Sequence, residues 1–158
     1  MSSKTASAYA LEMRRTFRAP RERVYRAWTE LAALDRWMCR DVAAHEVRYT
    51  ELDVRPGGKY QIEVKDSAAG ATYVGHGVYR EVRPPEKLVF TWAWKKVPLK
   101  AGEAWDDSES VVIVEFIERG AATEMLFRHE RLRSEGSKKE HEAGWKGCFE
   151  KLEQFLEA

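Results

Sequence analysis

The sequence predicts an α+β domain in which a curved antiparallel sheet of about six to seven strands wraps around one long C-terminal helix. Three observations carry that expectation. From His45 to Leu132, apolar residues recur mostly at every second position, the period of a half-buried strand. Trp145, Cys148, Phe149, Leu152, Phe155 and Leu156 follow the three-and-four spacing of an amphipathic helix. Two short helical patterns lie between an N-terminal strand and the main run of strands.

In residues 11–18, Leu11, Met13 and Phe17 alternate with Glu12, Arg14 and Arg18, which gives a half-buried first strand. Pro20 suits a helix start, where its missing N–H costs nothing, and Val24, Ala27 and Trp28 recur at helical spacing. Leu31, Leu34 and Trp37 mark the second short helix. Val47, Tyr49, Leu52 and Val54 return to the period of two and run into a turn at Arg55-Pro56-Gly57-Gly58, which Asp53 would brace by accepting backbone N–H bonds. Tyr60, Ile62 and Val64 make the next strand, and residues 66–70 make a polar turn. The strand over 73–82 carries Gly75 and Gly77, which predict a sharp bend or a close backbone approach. After Pro84-Pro85 come Leu88, Phe90, Trp92 and Trp94 in alternation. Residues 95–109, with Pro98, Gly102, Asp106 and Asp107, form a loop longer than most connections, a length that suits function or motion. Residues 111–117 and 123–132 form a last hairpin around Gly120. Ser137 and Glu140 match a capping box and would start the long helix. Twenty helical residues span about 30 Å, enough to cross a whole sheet.

The chain has 158 residues, of which 44% are hydrophobic and 34% charged, so it suits one folded domain over residues 11–158 behind a flexible segment over 1–10. Its 27 basic and 26 acidic side chains are interspersed, unlike the basic footprint of a nucleic-acid binder. No stretch approaches the roughly 18 apolar residues of a membrane span, and residues 1–10 lack the apolar core of a secretion signal. A cytoplasmic protein is expected. Cys39 and Cys148 could pair once, but they form no CxxC motif and read as free thiols of a reducing compartment. His45 and His76 have no ligand partners at metal-binding spacing, so no metal and no cofactor are expected.

Several motifs carry a family resemblance. Ala19-Pro20 before Val24 and Trp28, followed by Leu34 and Trp37, resembles the opening of the SRPBCC (START-like, Bet v 1-like) superfamily. Residues 53–58, Asp-Val-Arg-Pro-Gly-Gly, resemble the D-x-R-x-G-G turn of its branch related to the activator of the heat-shock chaperone ATPase. Residues 77–85 with Leu88-Val89-Phe90-Thr91-Trp92 are similar to that branch's G-x-Y-x-E-x-x-P-P…L-x-F-T-W run. Residues 123–129 resemble its penultimate segment, and His141, Gly144, Trp145 and Leu152 its closing helix. The resemblance spans about residues 8–156. It implies a helix-grip fold with an internal cavity, and a superfamily that includes lipid carriers, cyclases and chaperone regulators.

A single helix covers only part of a concave sheet, so the aromatics either fill the interior or border a pocket. The residues expected to line that pocket are Trp28, Trp37, Tyr60, Tyr73, Trp92, Phe116, Phe127, His129, Trp145 and Phe149, with His129 as the polar anchor. For any single aromatic, plain core is the simpler reading. Glu130, next to His129 on a strand, must point to the opposite face, so the pair is no dyad. His141 reads as a solvent contact near the helix start, and Cys148 as an inert buried thiol. No nucleophile elbow, phosphate loop or zinc-protease motif occurs, so no catalytic residue is assigned. The expected function is therefore a non-catalytic binding domain for a small apolar or aromatic, lipid-like ligand. The alternatives are a protein module that regulates a heat-shock chaperone ATPase through the outer sheet and the 95–109 loop, and a polyketide cyclase-like enzyme. A homodimer is compatible with the apolar content.

Overall fold

The structure is a computed structural model and describes residues 9–105 and 108–158. Most of the expected flexible segment, and the acidic pair Asp106-Asp107, lie outside the described residues. Seven antiparallel strands form one sheet: β1 (Leu11–Phe17), β2 (Glu46–Leu52), β3 (Lys59–Asp66), β4 (Ala71–Arg83), β5 (Lys87–Val97), β6 (Ser110–Arg119) and β7 (Ala122–Glu130). Their spatial order is β1-β7-β6-β5-β4-β3-β2, so the first strand pairs with the last and the rest follow as a meander. Helices α1 (Arg21–Ala27) and α2 (Leu31–Trp37) connect β1 to β2, and α3 (Glu135–Glu157) closes the described chain. This is the helix-grip α+β fold.

The sheet bends where β4 carries its glycines. A Cβ on Gly77 would sit 2.0 Å from the Thr91 carbonyl oxygen, and one on Gly75 would press on Ile62 and Trp94. At this point the Val78 N–H donates to the Thr91 hydroxyl, and the β4–β5 register shifts between Tyr79 and Glu81. The turn before β3 is equally tight. Gly57 has φ +85°, and a Cβ on Gly58 would fall 1.9 Å from the Asp53 carbonyl oxygen. Here the expected role of Asp53 is corrected: its carboxylate accepts from Arg55 Nε at 2.8 Å, and backbone bonds fasten the turn to Tyr79.

Helix α1 starts at Pro20, whose carbonyl accepts from the Arg23 and Val24 N–H groups. In α2 the apolar spacing is only partly used, because Leu31 stays exposed while Leu34 and Trp37 are buried. The start of α3 is also corrected. Ser134 is the cap, accepting from the Ser137 N–H at 3.0 Å, and Ser137 lies inside the first turn. From there α3 buries Trp145, Cys148, Phe149, Leu152 and Leu156 against the sheet and α2. Each such side chain contributes roughly 1.5–3 kcal/mol on leaving water.

One half of the interior is solid. Trp28 is the hub, with ring centroids 4.8 Å from Trp37, 6.0 Å from Phe149, 6.2 Å from Trp145 and 6.3 Å from Phe127. Phe127 in turn lies 4.8 Å from Trp145 and 5.0 Å from Phe149. The other half, beyond Trp92 and Trp145, opens as a cleft.

Candidate functional site

Five parts of the chain build the cleft, which encloses about 730 Å³; one of them is Arg131, Leu132 and Arg133, between β7 and α3. The sheet supplies Val64, Tyr73, Trp92, Trp94 and Ser110. The N-terminal half of α3 supplies Ser137, Glu140, His141, Trp145 and Cys148. The segment after α2 adds Cys39, Asp41, Val42 and His45, and the β5–β6 connection adds Glu103, Trp105 and Ser108. That connection is the long loop noted in the sequence. It folds back over the sheet because Trp105 Nε1 donates to the Trp94 carbonyl at 2.9 Å and its ring lies 5.9 Å from Tyr73. Lys96 and Glu103 pair at 2.5 Å beneath it, which lowers the Glu103 carboxyl and raises the Lys96 amine.

Of the ten residues expected at the pocket, Tyr73, Trp92 and Trp145 line this cleft. Trp28, Trp37, Phe116, Phe127 and Phe149 pack among themselves in the closed half, each no more than 2% exposed. Tyr60 is buried and donates its hydroxyl to the Thr91 carbonyl at 2.5 Å. His129 lies behind the cleft wall and is 0% exposed. Trp94, Trp105, Ser110 and His141 line the cleft but were not among those ten. The α3 contributors share one helical face, since 137, 141, 145 and 148 are spaced by three or four. That spacing alone could have turned His141 inward.

His129 links the two halves. Trp145 Nε1–H donates to its Nδ1 at 3.1 Å, which fixes the neutral tautomer with hydrogen on Nε2. Nε2–H then donates to Ser110 Oγ at 2.7 Å, and the Ser110 hydroxyl donates to the Trp92 carbonyl at 2.9 Å. The network therefore holds the Trp145 ring by its indole N–H and β5 by the Trp92 carbonyl, while the Trp92 indole nitrogen is buried without a hydrogen-bond partner among the described residues. Because the Nδ1 lone pair is engaged by Trp145, His129 has no free lone pair to activate Ser110. Glu130 is on the other face, paired with Arg128.

His141 stands edge-on to His129, with centroids 4.8 Å apart. Its Nδ1 donates to the Ser137 carbonyl at 2.8 Å, which leaves the lone pair of the neutral ring on Nε2. Burial holds the His129 imidazole well below the usual 6.5, with His141 adding to the effect, and burial also lowers His141. Both rings are therefore favoured neutral in the fold, while the unfolded chain takes up protons near the ordinary value. Stability is full above about pH 6.5 and falls as the pH drops below it. Urea unfolding is expected to show a smaller free energy at about pH 5 than at about pH 7.5. His129→Gln should flatten that dependence by up to about 1.4 kcal/mol per pH unit. An unchanged slope in the variant would exclude His129 as a source.

Among the described residues, no three His, Cys, Asp or Glu side chains group as metal ligands, and no helix is long and apolar enough to cross a membrane.

The curved sheet gripping a long helix, with a cleft between them, defines a helix-grip domain of the SRPBCC type. The chain belongs to the activator of Hsp90 ATPase homolog 1-like protein family, whose model matches residues 18–157. No curated protein matches the chain. Among solved structures, a Chromobacterium violaceum protein superposes with TM-score 0.80 at 22% identity, covering 95% of this chain and 98% of that one. CalU16 from Micromonospora echinospora superposes with TM-score 0.66 at 22% identity, covering 93% and 75%. DynU16, a protein of the dynemicin biosynthetic locus, gives TM-score 0.69 at 17% identity, covering 95% of this chain and 48% of that one. At these identities the likeness establishes a shared fold.

Proposed function

We propose that the cleft binds a small, largely apolar ligand with an aromatic ring system. The supporting observation is its wall: Tyr73, Trp92, Trp94, Trp105 and Trp145 surround a space of about 730 Å³. That volume lies in the usual range for small-molecule sites, and aromatic walls favour flat, apolar guests. Polar groups line the cleft from several elements, and those on α3, His141 and Ser137, would orient one polar substituent. The biosynthetic locus of DynU16 agrees with small-molecule handling by this fold, whether as carrier or enzyme. The His129–Ser110 network supports the carrier reading, because it holds the Trp145 ring and the β5 backbone and supplies no base.

Isothermal titration calorimetry against a panel of planar aromatics and fatty acids tests this reading. Saturable one-to-one binding of at least one planar aromatic is expected. Trp105→Ala should weaken it about tenfold, since removing one ring face from the contact loses roughly 1.4 kcal/mol. Trp105 is 38% exposed, so the fold should tolerate the change. The proposal fails if no panel member binds, or if binding is indifferent to Trp105.

A further inference from the structure

The two cysteines of the chain are 109 positions apart, yet the fold brings them together on one stretch of the cleft wall. Cys148, on the buried face of α3, lines the cleft beside Cys39, which helps to hold the pKa of the Cys148 thiol up. It also donates to Asp41 Oδ1 at 3.7 Å. Both thiols are free in this structure. Cys39 is half-buried and Cys148 is 5% exposed.

The meeting is built into the backbone. Just past α2, Cys39 takes φ +58°, a left-handed conformation unfavourable for a residue with a Cβ. Two residues on, Asp41 presses so closely on α3 that a Cβ at Gly147 would lie 2.6 Å from the Asp41 Cβ. A side chain at 147 would push this segment away from Cys148. The segment after α2 and the middle of α3 are thus held in contact where Cys148 reaches Asp41, two residues beyond Cys39.

We propose that Cys39 and Cys148 form a covalent modification site, a dithiol that a disulfide-exchanging oxidant such as glutathione disulfide converts to an intramolecular disulfide. The half-buried Cys39 reacts first. Its thiolate attacks one sulphur of glutathione disulfide, the glutathione S–S bond breaks, and one glutathione thiolate leaves. Cys148 then loses its proton to solvent, with the Asp41 carboxylate as the nearest acceptor. The resulting thiolate attacks the Cys39 sulphur and expels the second glutathione. Two protein thiols are oxidised and one glutathione disulfide is reduced to two glutathione thiols. Hydrogen bonding to Cys39, burial and the nearby Asp41 charge all hold the Cys148 thiol well above its ordinary 9.0, so the second exchange is the slow one. The bond would tie the segment after α2 to the middle of α3 along one wall of the cleft. It does not depend on what the cleft binds.

The test incubates the folded wild-type chain with glutathione disulfide at about pH 8 and reads intact mass, thiols titratable after denaturation, and Tm. Expected are a monomer lighter by two hydrogens, no titratable thiol, reversal by dithiothreitol, and a Tm raised by about 5–10 °C from closing a loop of this length. Cys148→Ser should stop at a single glutathione adduct on Cys39. Cys39→Ser, which leaves the buried position intact, should form no intramolecular bond. The proposal is overturned if the wild-type chain keeps both thiols, accumulates glutathione adducts, or forms a disulfide-linked dimer instead.

Discussion

Trp28→Ala is expected to cost about 4–5 kcal/mol, the upper end of what removing a large buried ring costs. Domains of this size hold about 5–15 kcal/mol in all, so the variant should lose about a third or more of its stability. The size of the effect follows from position. Trp28 sits at the end of α1, is 2% exposed, and touches rings from α2, β5, β6, β7 and α3. Deleting it removes the one side chain that both short helices, the sheet and the long helix share, and rings held by so many neighbours cannot collapse into the gap. Trp28→Phe should be much milder, about 1–2 kcal/mol. The Trp28 indole nitrogen has no hydrogen-bond partner, so the change sacrifices area without stranding an acceptor. Urea denaturation followed by circular dichroism measures both variants. A cost below about 1.5 kcal/mol for Trp28→Ala would contradict the solid packing of this half.

Gly77→Ala is expected to be similarly damaging, at about 3 kcal/mol or more, although it adds a single methyl group. The new carbon would lie 2.0 Å from the Thr91 carbonyl oxygen and 2.7 Å from the Tyr60 hydroxyl. The first obstacle is backbone, so β4 and β5 would have to separate where they bend. Trp92, the next residue along β5, would move with Thr91, and with it the boundary between core and cleft. Gly75→Ala provides the contrast. Its nearest neighbours are the ends of side chains, Ile62 Cγ2 at 3.0 Å and the Trp94 ring at 3.2 Å, which can shift. A loss of about 1–2 kcal/mol is expected there. Equal losses at the two positions, read from denaturation midpoints, would show that the bend does not depend on the close approach at Gly77.

The two effects describe one design. Five aromatics at the α1–α2 end lock the grip of sheet on helix, and that rigidity allows the far end to remain open. The His129 network carries the rigidity across the boundary by bonding the Trp145 indole and the backbone of β5 at Trp92. An open pocket in so aromatic a chain is stable because its walls are held from behind.

Much of this fold was legible before any coordinates. Alternation along Leu88, Phe90, Trp92 and Trp94, the spacing of Trp145, Phe149 and Leu152, and the turn at Gly57-Gly58 each encode local geometry, because period and turn chemistry act between near neighbours in sequence. The site was harder to read. Periodicity says that a residue faces inward, and it says nothing about whether that part of the interior is filled. Trp28 and Trp145 follow equally good inward patterns, yet one is sealed in the core and the other borders the cleft.

Local pattern by itself determined the order and kind of the elements, the inward faces, and the glycines on which the sheet bends. The tertiary structure alone decided where the interior stays open, that the loop carrying Trp105 folds over it, that His129 is spent on holding the Trp145 ring and the β5 backbone, and that Cys39 and Cys148 share one stretch of the cleft wall. The physical reason is range. Strand and helix periods are set by contacts a few residues apart, whereas a cleft is the space left over when elements distant in sequence have finished packing.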